Sequence, residues 1–217
     1  MRPLRILVAD DHQLLRHGVK ALLESRAGWE ICGEAGTGRE AVAKTIELRP
    51  DVIILDISMP NLNGLDAARR IRMASPNTEV LILSMHYSDQ LTRDIIDSGA
   101  LGYVLKSDCD RDLLMAVESV ARHEPFFTAH ASEKMPIESK TAGALVNSPK
   151  FSNQVTSRER EIIQLLAEGN RGKEVALFLG ISAKTVESHR SNLMRKLDIH
   201  NLSGLVRYAM RNQILEP

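Results

Sequence analysis

The chain has 217 residues, 43% of them apolar and 26% charged, which is enough for one or two packed cores and argues against a disordered polar polymer. Its 28 basic and 28 acidic residues cancel, but unevenly: residues 1–122 carry 15 Lys and Arg against 18 Asp and Glu, a net −3, while residues 152–217 carry 10 against 7, a net +3. No apolar run nears the ~20 residues that span a bilayer, and Cys32 and Cys109 form no Cys-x-x-Cys, which argues against a disulfide framework or a zinc site and makes a reducing cytoplasm the expected location.

Arg2 and Arg5 precede an apolar stretch that Asp10 and Asp11 cut short, so the start reads as a first strand rather than a signal peptide. Four-residue apolar runs at 6–9, 52–55 and 80–83 have the continuous character of strands buried on both faces. Weaker strand signals lie at 31–35 and 102–105. Helical spacing of apolar residues fills the gaps at 14–23, 40–48, 65–71, 91–96 and 113–120. Five strands alternating with five helices predict a doubly wound α/β domain over residues 1–122, with a parallel sheet and right-handed crossovers. Residues 123–151, with three prolines and many Ser, Thr and Ala residues, read as a linker.

From 152 to 217 only helical patterns follow, which predicts a second, all-α domain. Thr156 and Glu159 have capping-box spacing ahead of Ile162, Ile163, Leu165 and Leu166, and Gly169 is the expected stop. A short helix over 173–179, a turn at Gly180, a helix over 182–197 capped by Ser182, and a last helix over 201–212 complete the reading.

Ligands of an open parallel sheet sit beyond the carboxyl ends of its strands, where strand order reverses. In the flavodoxin-like order 2-1-3-4-5, the first, third, fourth and fifth strands are neighbours. Asp10 and Asp11 follow the first, Asp56 the third, Ser84 ends the fourth and Lys106 the fifth, so all five are expected to converge. Clustered carboxylates repel unless a cation joins them, and oxygen ligands with waters suit Mg²⁺, or Mn²⁺ in its place. A carboxylate is also a nucleophile for a phosphoryl group. Lys106 and the cation would neutralise its equatorial oxygens, and the Ser84 hydroxyl would bond another. Singly, each residue has a plainer reading: Asp10 and Asp11 as a helix cap, Asp56 as a loop acid, Lys106 as a solvated charge. Their joint occurrence at four strand ends favours the pocket.

The segments Val8-Ala9-Asp10-Asp11, Leu55-Asp56-Ile57-Ser58-Met59-Pro60 with Gly64, Leu83-Ser84, and Gly102-Tyr103-Val104-Leu105-Lys106 resemble the receiver domain of two-component response regulators over residues 4–122. The resemblance implies that Asp56 is the phosphoacceptor. It implies that Asp11, Asp56 and the Ser58 backbone carbonyl hold Mg²⁺, with Asp10 helping through water, and that Ser84 and Tyr103 form a switch pair. It also implies a protein that accepts a phosphoryl group and slowly loses it, not an enzyme with a turnover substrate. By residue type alone Tyr103 reads as an ordinary half-buried strand tyrosine. A haloacid-dehalogenase-like phosphatase would share an aspartate nucleophile, but it wants a second aspartate two residues on, where this chain has Ser58.

In the second domain Lys184, Thr185, Glu187, Ser188, Arg190, Ser191, Arg195 and Lys196 give one helix a polar, mainly basic face. Such a face suits the major groove, although a solvated face or a dimerisation module has the same look. Thr156-x-Arg158-Glu159, Leu166-x-x-Gly169, Lys173-Glu174-Val175-Ala176, Thr185-Val186-x-x-His189 and Lys196-Leu197 resemble the LuxR-type helix-turn-helix over residues 153–214. With the receiver, the pair resembles the NarL/FixJ family of response regulators. Glu187, Ser188 and Ser191 are the expected base contacts. Lys184, Thr185, Arg190, Arg195 and Lys196 are the expected phosphate contacts, with His189 turned to the domain body. Two departures stand out: Gly172 replaces a common Asn, so the second helix starts less firmly, and Glu187 replaces a common Lys, which alters the target sequence. Leu202, Leu205, Val206 and Ala209 recur at helical spacing as the expected dimer surface, although some must face their own core. The implied partners are double-stranded DNA, a sensor histidine kinase, a second copy of the chain on DNA, and RNA polymerase, with no membrane. A pure interaction protein with no affinity for DNA is the remaining rival.

Overall fold

The computed structural model describes residues 2–127, 155–212 and 214–215 and contains two compact units. Most of the expected linker, residues 128–151, lies outside the described residues.

The first unit is a six-stranded parallel sheet in the order β2-β1-β3-β4-β5-β6. Its strands are β1 (Leu4–Ala9), β2 (Trp29–Ala35), β3 (Val52–Asp56), β4 (Glu79–Ser84), β5 (Gly102–Leu105) and β6 (Phe126–Phe127). The helices between them are α1 (Gln13–Glu24), α2 (Gly38–Leu48), α3 (Gly64–Ala74), α4 (Asp89–Asp97) and α5 (Cys109–Ala121). The central strands are continuous apolar runs because both faces are covered. Ile6, Val8, Val52, Ile54, Leu81 and Leu83 pack against Val19 and Leu23 of α1 and Leu113, Val117 and Val120 of α5. The alternate residues Leu7, Ile53, Leu55, Val80 and Ile82 are equally buried. Burying each such side chain contributes roughly 1.5–3 kcal/mol, so the sheet centre is the most firmly built part of the unit.

The sequence reading has five strands and places residues 123–127 in the linker, whereas Phe126 and Phe127 add a sixth strand that pairs with Gly102 and Tyr103. A two-residue strand has no alternation to read, and its neighbour Pro125 is a turn signal.

The second unit is helical throughout the described residues: α6 (Ser157–Ala167), α7 (Gly172–Leu179), α8 (Ala183–Lys196) and α9 (Leu202–Arg211). Its core is Ile162, Ile163, Leu165 and Leu166 with Val175, Leu179, Val186, Leu193, Leu205 and Ala209. The expected capping box is present at α6: Glu159 N–H donates to Thr156 Oγ1 (3.2 Å) and Thr156 N–H donates to Glu159 Oε2 (2.7 Å). At α7 only half of that device exists. Glu174 accepts from the Arg171 N–H (2.6 Å), but the arginine side chain has no acceptor to return the bond. Gly180 turns the chain between α7 and α8 with φ of 63°, in the left-handed region where a Cβ is costly. No helix among the described residues is long and apolar enough to cross a membrane.

Candidate functional site

The carboxyl ends of β1, β3, β4 and β5 bring Asp10, Asp56, Ser84 and Lys106 together as expected. Lys106 begins a single 3-10 turn directly after β5. Its Nζ reaches Asp10 Oδ2 at 2.9 Å and Asp56 Oδ1 at 3.0 Å. Asp56 closes β3, and the chain returns to α3 so tightly that a Cβ on Gly64 would lie 2.0 Å from the Asp56 carbonyl oxygen. Only glycine fits there, which accounts physically for its place in the motif. Asp11 stands at the open rim beside His12, whose Nδ1 is 2.9 Å from Asp11 Oδ1. Arg16 donates to the Asp10 carbonyl (2.6 Å) and to Glu34 (3.1 Å), tying the loop after β1 to β2. Arg16 was not foreseen, since an arginine on an amphipathic helix carries no signal of its own.

The electrostatics of the pocket are unbalanced. One buried cation faces two buried carboxylates, with Asp11 close by. Burial is the main reason that the Asp56 carboxyl is pushed up to about 6; Lys106 opposes the rise and Asp10 adds to it. Burial works against the Lys106 ammonium too, but Asp56 and Asp10 outweigh it and hold its pKa above the ordinary value. Asp56 gives one oxygen to Lys106, and its Oδ2 is buried with no hydrogen-bond partner among the described residues. Ligand atoms of Asp10, Asp11, His12 and Asp56 all lie within 4.8 Å of one another. A mainly carboxylate donor set with an orphaned buried oxygen fits a hard divalent cation.

Ser84 and Tyr103 meet at one backbone atom. Ser84 Oγ donates to the His86 carbonyl at 3.1 Å, and the Tyr103 hydroxyl donates to the same oxygen at 2.8 Å. Tyr103 is fully buried, which raises its pKa well above the ordinary phenol value. It is therefore an inward side chain, not the half-buried tyrosine that its residue type suggests. The His86 carbonyl could not be read from the sequence, because any residue there supplies one.

In the helical unit α8 is capped by Ser182, whose Oγ accepts from the Thr185 N–H (3.0 Å). Lys184, Thr185, Glu187, Ser188, Ser191, Arg195 and Lys196 are exposed on it, Arg190 and His189 are half-buried, and Val186 and Leu193 anchor the inner side. Several of the exposed groups are already engaged. Lys196 Nζ pairs with Glu159 Oε2 at 2.9 Å, Ser188 Oγ donates to the Lys184 carbonyl at 3.0 Å, and Arg195 donates to Asn192 at 2.9 Å. The four α9 residues expected at a dimer surface are divided in the structure. Leu205 and Ala209 belong to the unit's own core, leaving Leu202 exposed and Val206 half-buried.

Comparison with known proteins agrees with both halves. Residues 6–118 match the response regulator receiver domain, and residues 153–209 match the bacterial regulatory proteins of the luxR family. The oxygen regulatory protein NreC of Staphylococcus epidermidis is 36% identical, covering 98% of this chain and 100% of the relative. The transcriptional regulatory protein LiaR of Bacillus subtilis is 32% identical over 98% of this chain and 99% of its own length. Among solved structures, the RcsB response regulator of Salmonella typhimurium aligns with a TM-score of 0.65 at 25% identity, covering 98% of this chain and 99% of that one.

Proposed function

The chain belongs to the NarL/FixJ family of two-component response regulators, and from that premise we propose that a sensor histidine kinase phosphorylates it on Asp56 and so controls its binding to DNA. The observation that carries the assignment is the environment of Asp56: a buried carboxylate bonded to Lys106 through one oxygen, the other having no hydrogen-bond partner among the described residues. The Asp56 carboxylate is the nucleophile. A new O–P bond forms on it while the bond from phosphorus to the donor's leaving group breaks, and Lys106 stays paired with the pocket throughout. Asp11, Asp56 and the Ser58 carbonyl would hold Mg²⁺, or Mn²⁺ in its place, with Asp10 acting through water. When bound, the cation supplies positive charge that offsets the carboxylates and the phosphoryl oxygens.

A phosphoryl group adds roughly 1.5–2 negative charges and three strong acceptor oxygens. Ser84 is 4% exposed, closes β4 beside Leu105 of β5, and makes a long 3.1 Å bond to the His86 carbonyl. It exchanges that carbonyl for a phosphoryl oxygen. The His86 carbonyl is then left to Tyr103, so the two switch residues are coupled through one shared acceptor. The adduct is lost slowly to water, and the chain has no other turnover reaction.

DNA is bound by α8 in a symmetric pair of chains. Glu187, Ser188 and Ser191 face base edges, while Lys184, Thr185, Arg190, Arg195 and Lys196 face phosphates. Leu202 and Val206 are the part of the expected dimer surface that remains available, and RNA polymerase is the downstream partner. The test is incubation with acetyl phosphate and Mg²⁺, followed by mass spectrometry and DNA-binding titrations. The expected result is one base-labile phosphoryl adduct at Asp56, absent from Asp56→Asn, with DNA affinity changed in the labelled protein only. Full labelling of Asp56→Asn would overturn the assignment.

A further inference from the structure

The acidic pocket contains a group that the phosphoacceptor reading leaves idle. His12 follows Asp11 and occupies the N-cap position of α1, yet its side chain makes no capping bond. Its backbone N–H donates to Asp10 Oδ1 at 2.7 Å, which fixes the start of the side chain over the pocket. The ring lies with Nδ1 2.9 Å from Asp11 Oδ1 and 3.6 Å from Asp10 Oδ1, and 65% of the side chain is exposed. The ring therefore stands beside the carboxylate cluster with most of its surface in solvent.

The spacing suits a single ion. Ligands about 2.1 Å from an octahedral centre stand roughly 3 Å apart in adjacent positions and roughly 4.2 Å apart in opposite ones. The ligand atoms of Asp10, Asp11, His12 and Asp56 are all within 4.8 Å of one another, so no large rearrangement separates them from a shared cation. A second observation, separate from the spacing, is that Asp56 Oδ2, on a residue 1% exposed, has no hydrogen-bond partner among the described residues, so the set includes a buried oxygen that the protein leaves unsatisfied.

We infer that His12 is a protein ligand of the pocket cation and shifts the preference of the site from Mg²⁺ towards imidazole-binding transition ions. Mg²⁺ gains little from exchanging a water for an imidazole, whereas affinity for a mixed N/O site rises from Mn²⁺ through Co²⁺ to Ni²⁺. The inference rests on the cation site proposed above and adds to it both the fourth residue and the class of ion.

The test uses Mn²⁺ as the probe on the full chain. Equilibrium binding is followed by electron paramagnetic resonance, and electron spin-echo modulation reads directly bound nitrogen. Asp11→Asn, at the exposed rim, reports whether Mn²⁺ is in this pocket. The expected result is nitrogen modulation that His12→Ala abolishes. Ni²⁺ affinity, measured by displacement of Mn²⁺, should fall about tenfold in that variant, while Mg²⁺ affinity, measured the same way, changes by less than about twofold. Mn²⁺ that is released by Asp11→Asn but shows no nitrogen coupling would overturn the role of His12 and leave the oxygen-ligand reading intact. Nitrogen coupling that survives His12→Ala would assign it to another group and also overturn the inference. Mn²⁺ binding untouched by Asp11→Asn would remove the pocket as a cation site, and His12 with it.

Discussion

Asp10 and Asp56 are each 1% exposed and the Lys106 side chain 4%, while Lys184, Glu187 and Arg195 stand in solvent along α8. The two regions carry similar residue types in opposite physical settings. Inside the pocket a charge is expensive unless it is paired, so each group is sensitive to its neighbours and to what binds there. On α8 a charge costs little, interacts weakly, and is free to meet a phosphate or a base. The pocket is therefore suited to sensing one added phosphoryl group, and the helix to summing many modest contacts. Destabilising effects should be large in the first region and small in the second.

Lys106 should give the largest effect. Lys106→Ala leaves Asp10 and Asp56 facing each other without their shared cation. Breaking a buried pair by removing one partner costs about 3–5 kcal/mol, so urea denaturation near neutral pH without divalent cations should show a loss of that order. The loss should shrink in acid, where Asp56 takes up a proton instead. An effect below about 0.5 kcal/mol, the scale of ordinary surface changes, would mean the pocket is no more costly than surface.

Asp56→Asn should act in the opposite direction. The Asp56 carboxyl is pushed up to about 6 from an ordinary 3.8, so the folded chain holds that proton more tightly than the unfolded chain. Ionising it weakens the fold: the penalty is absent below about pH 4, grows as pH rises, and is complete above about pH 6. Asparagine carries no such penalty. Near neutral pH the variant should therefore be more stable by about 2–3 kcal/mol, with the gain vanishing towards pH 4. Excess Mg²⁺ should narrow the gap, because an ion that binds only the folded wild type stabilises it. Paired melts across this pH range are the measurement. A gain that does not depend on pH would detach it from Asp56 ionisation.

The same contrast governs how much could be read from the sequence. Buried strands announce themselves as continuous apolar runs, and residues at their carboxyl ends must converge once the strand order is set. Asp10, Asp56, Ser84 and Lys106 were legible for that reason. The shared His86 carbonyl was not, since backbone atoms have no sequence signature. β6 was not, because Phe126 and Phe127 are too few to show a period. On the helical side, cap residues such as Thr156, Ser182 and Asn201 marked where helices begin. Periodicity on α9 showed an apolar stripe but not which part faces inward, so Leu205 and Ala209 were grouped with Leu202 and Val206. Exposed residues such as Glu187 carry no positional constraint from packing, so only the motif singles them out.

The finest test of the comparison concerns two lysines on the same helix. Lys184 is exposed and has no ion-pair partner among the described residues, while Lys196 is held by Glu159 at 2.9 Å with side chains 41% and 18% exposed. A lysine that neutralises one phosphate contributes roughly one unit to the salt slope of DNA binding. Lys184→Ala should therefore lower the slope by about one on operator and scrambled DNA alike. Lys196→Ala should lower it by less than about half as much, because part of its charge is already offset by Glu159. Glu159→Gln separates charge from structure. Glutamine can still close the capping box with Thr156, but it releases Lys196, so the slope should steepen by up to about one. The exposed pair itself contributes about 1 kcal/mol or less to stability, so melts of Glu159→Gln should stay close to wild type while its DNA binding changes. Equal slopes for the two lysine variants, with no response to Glu159→Gln, would mean that DNA pulls Lys196 away from its partner at no measurable cost. The pairing seen along α8 would then have no bearing on which of its charges reach the phosphates.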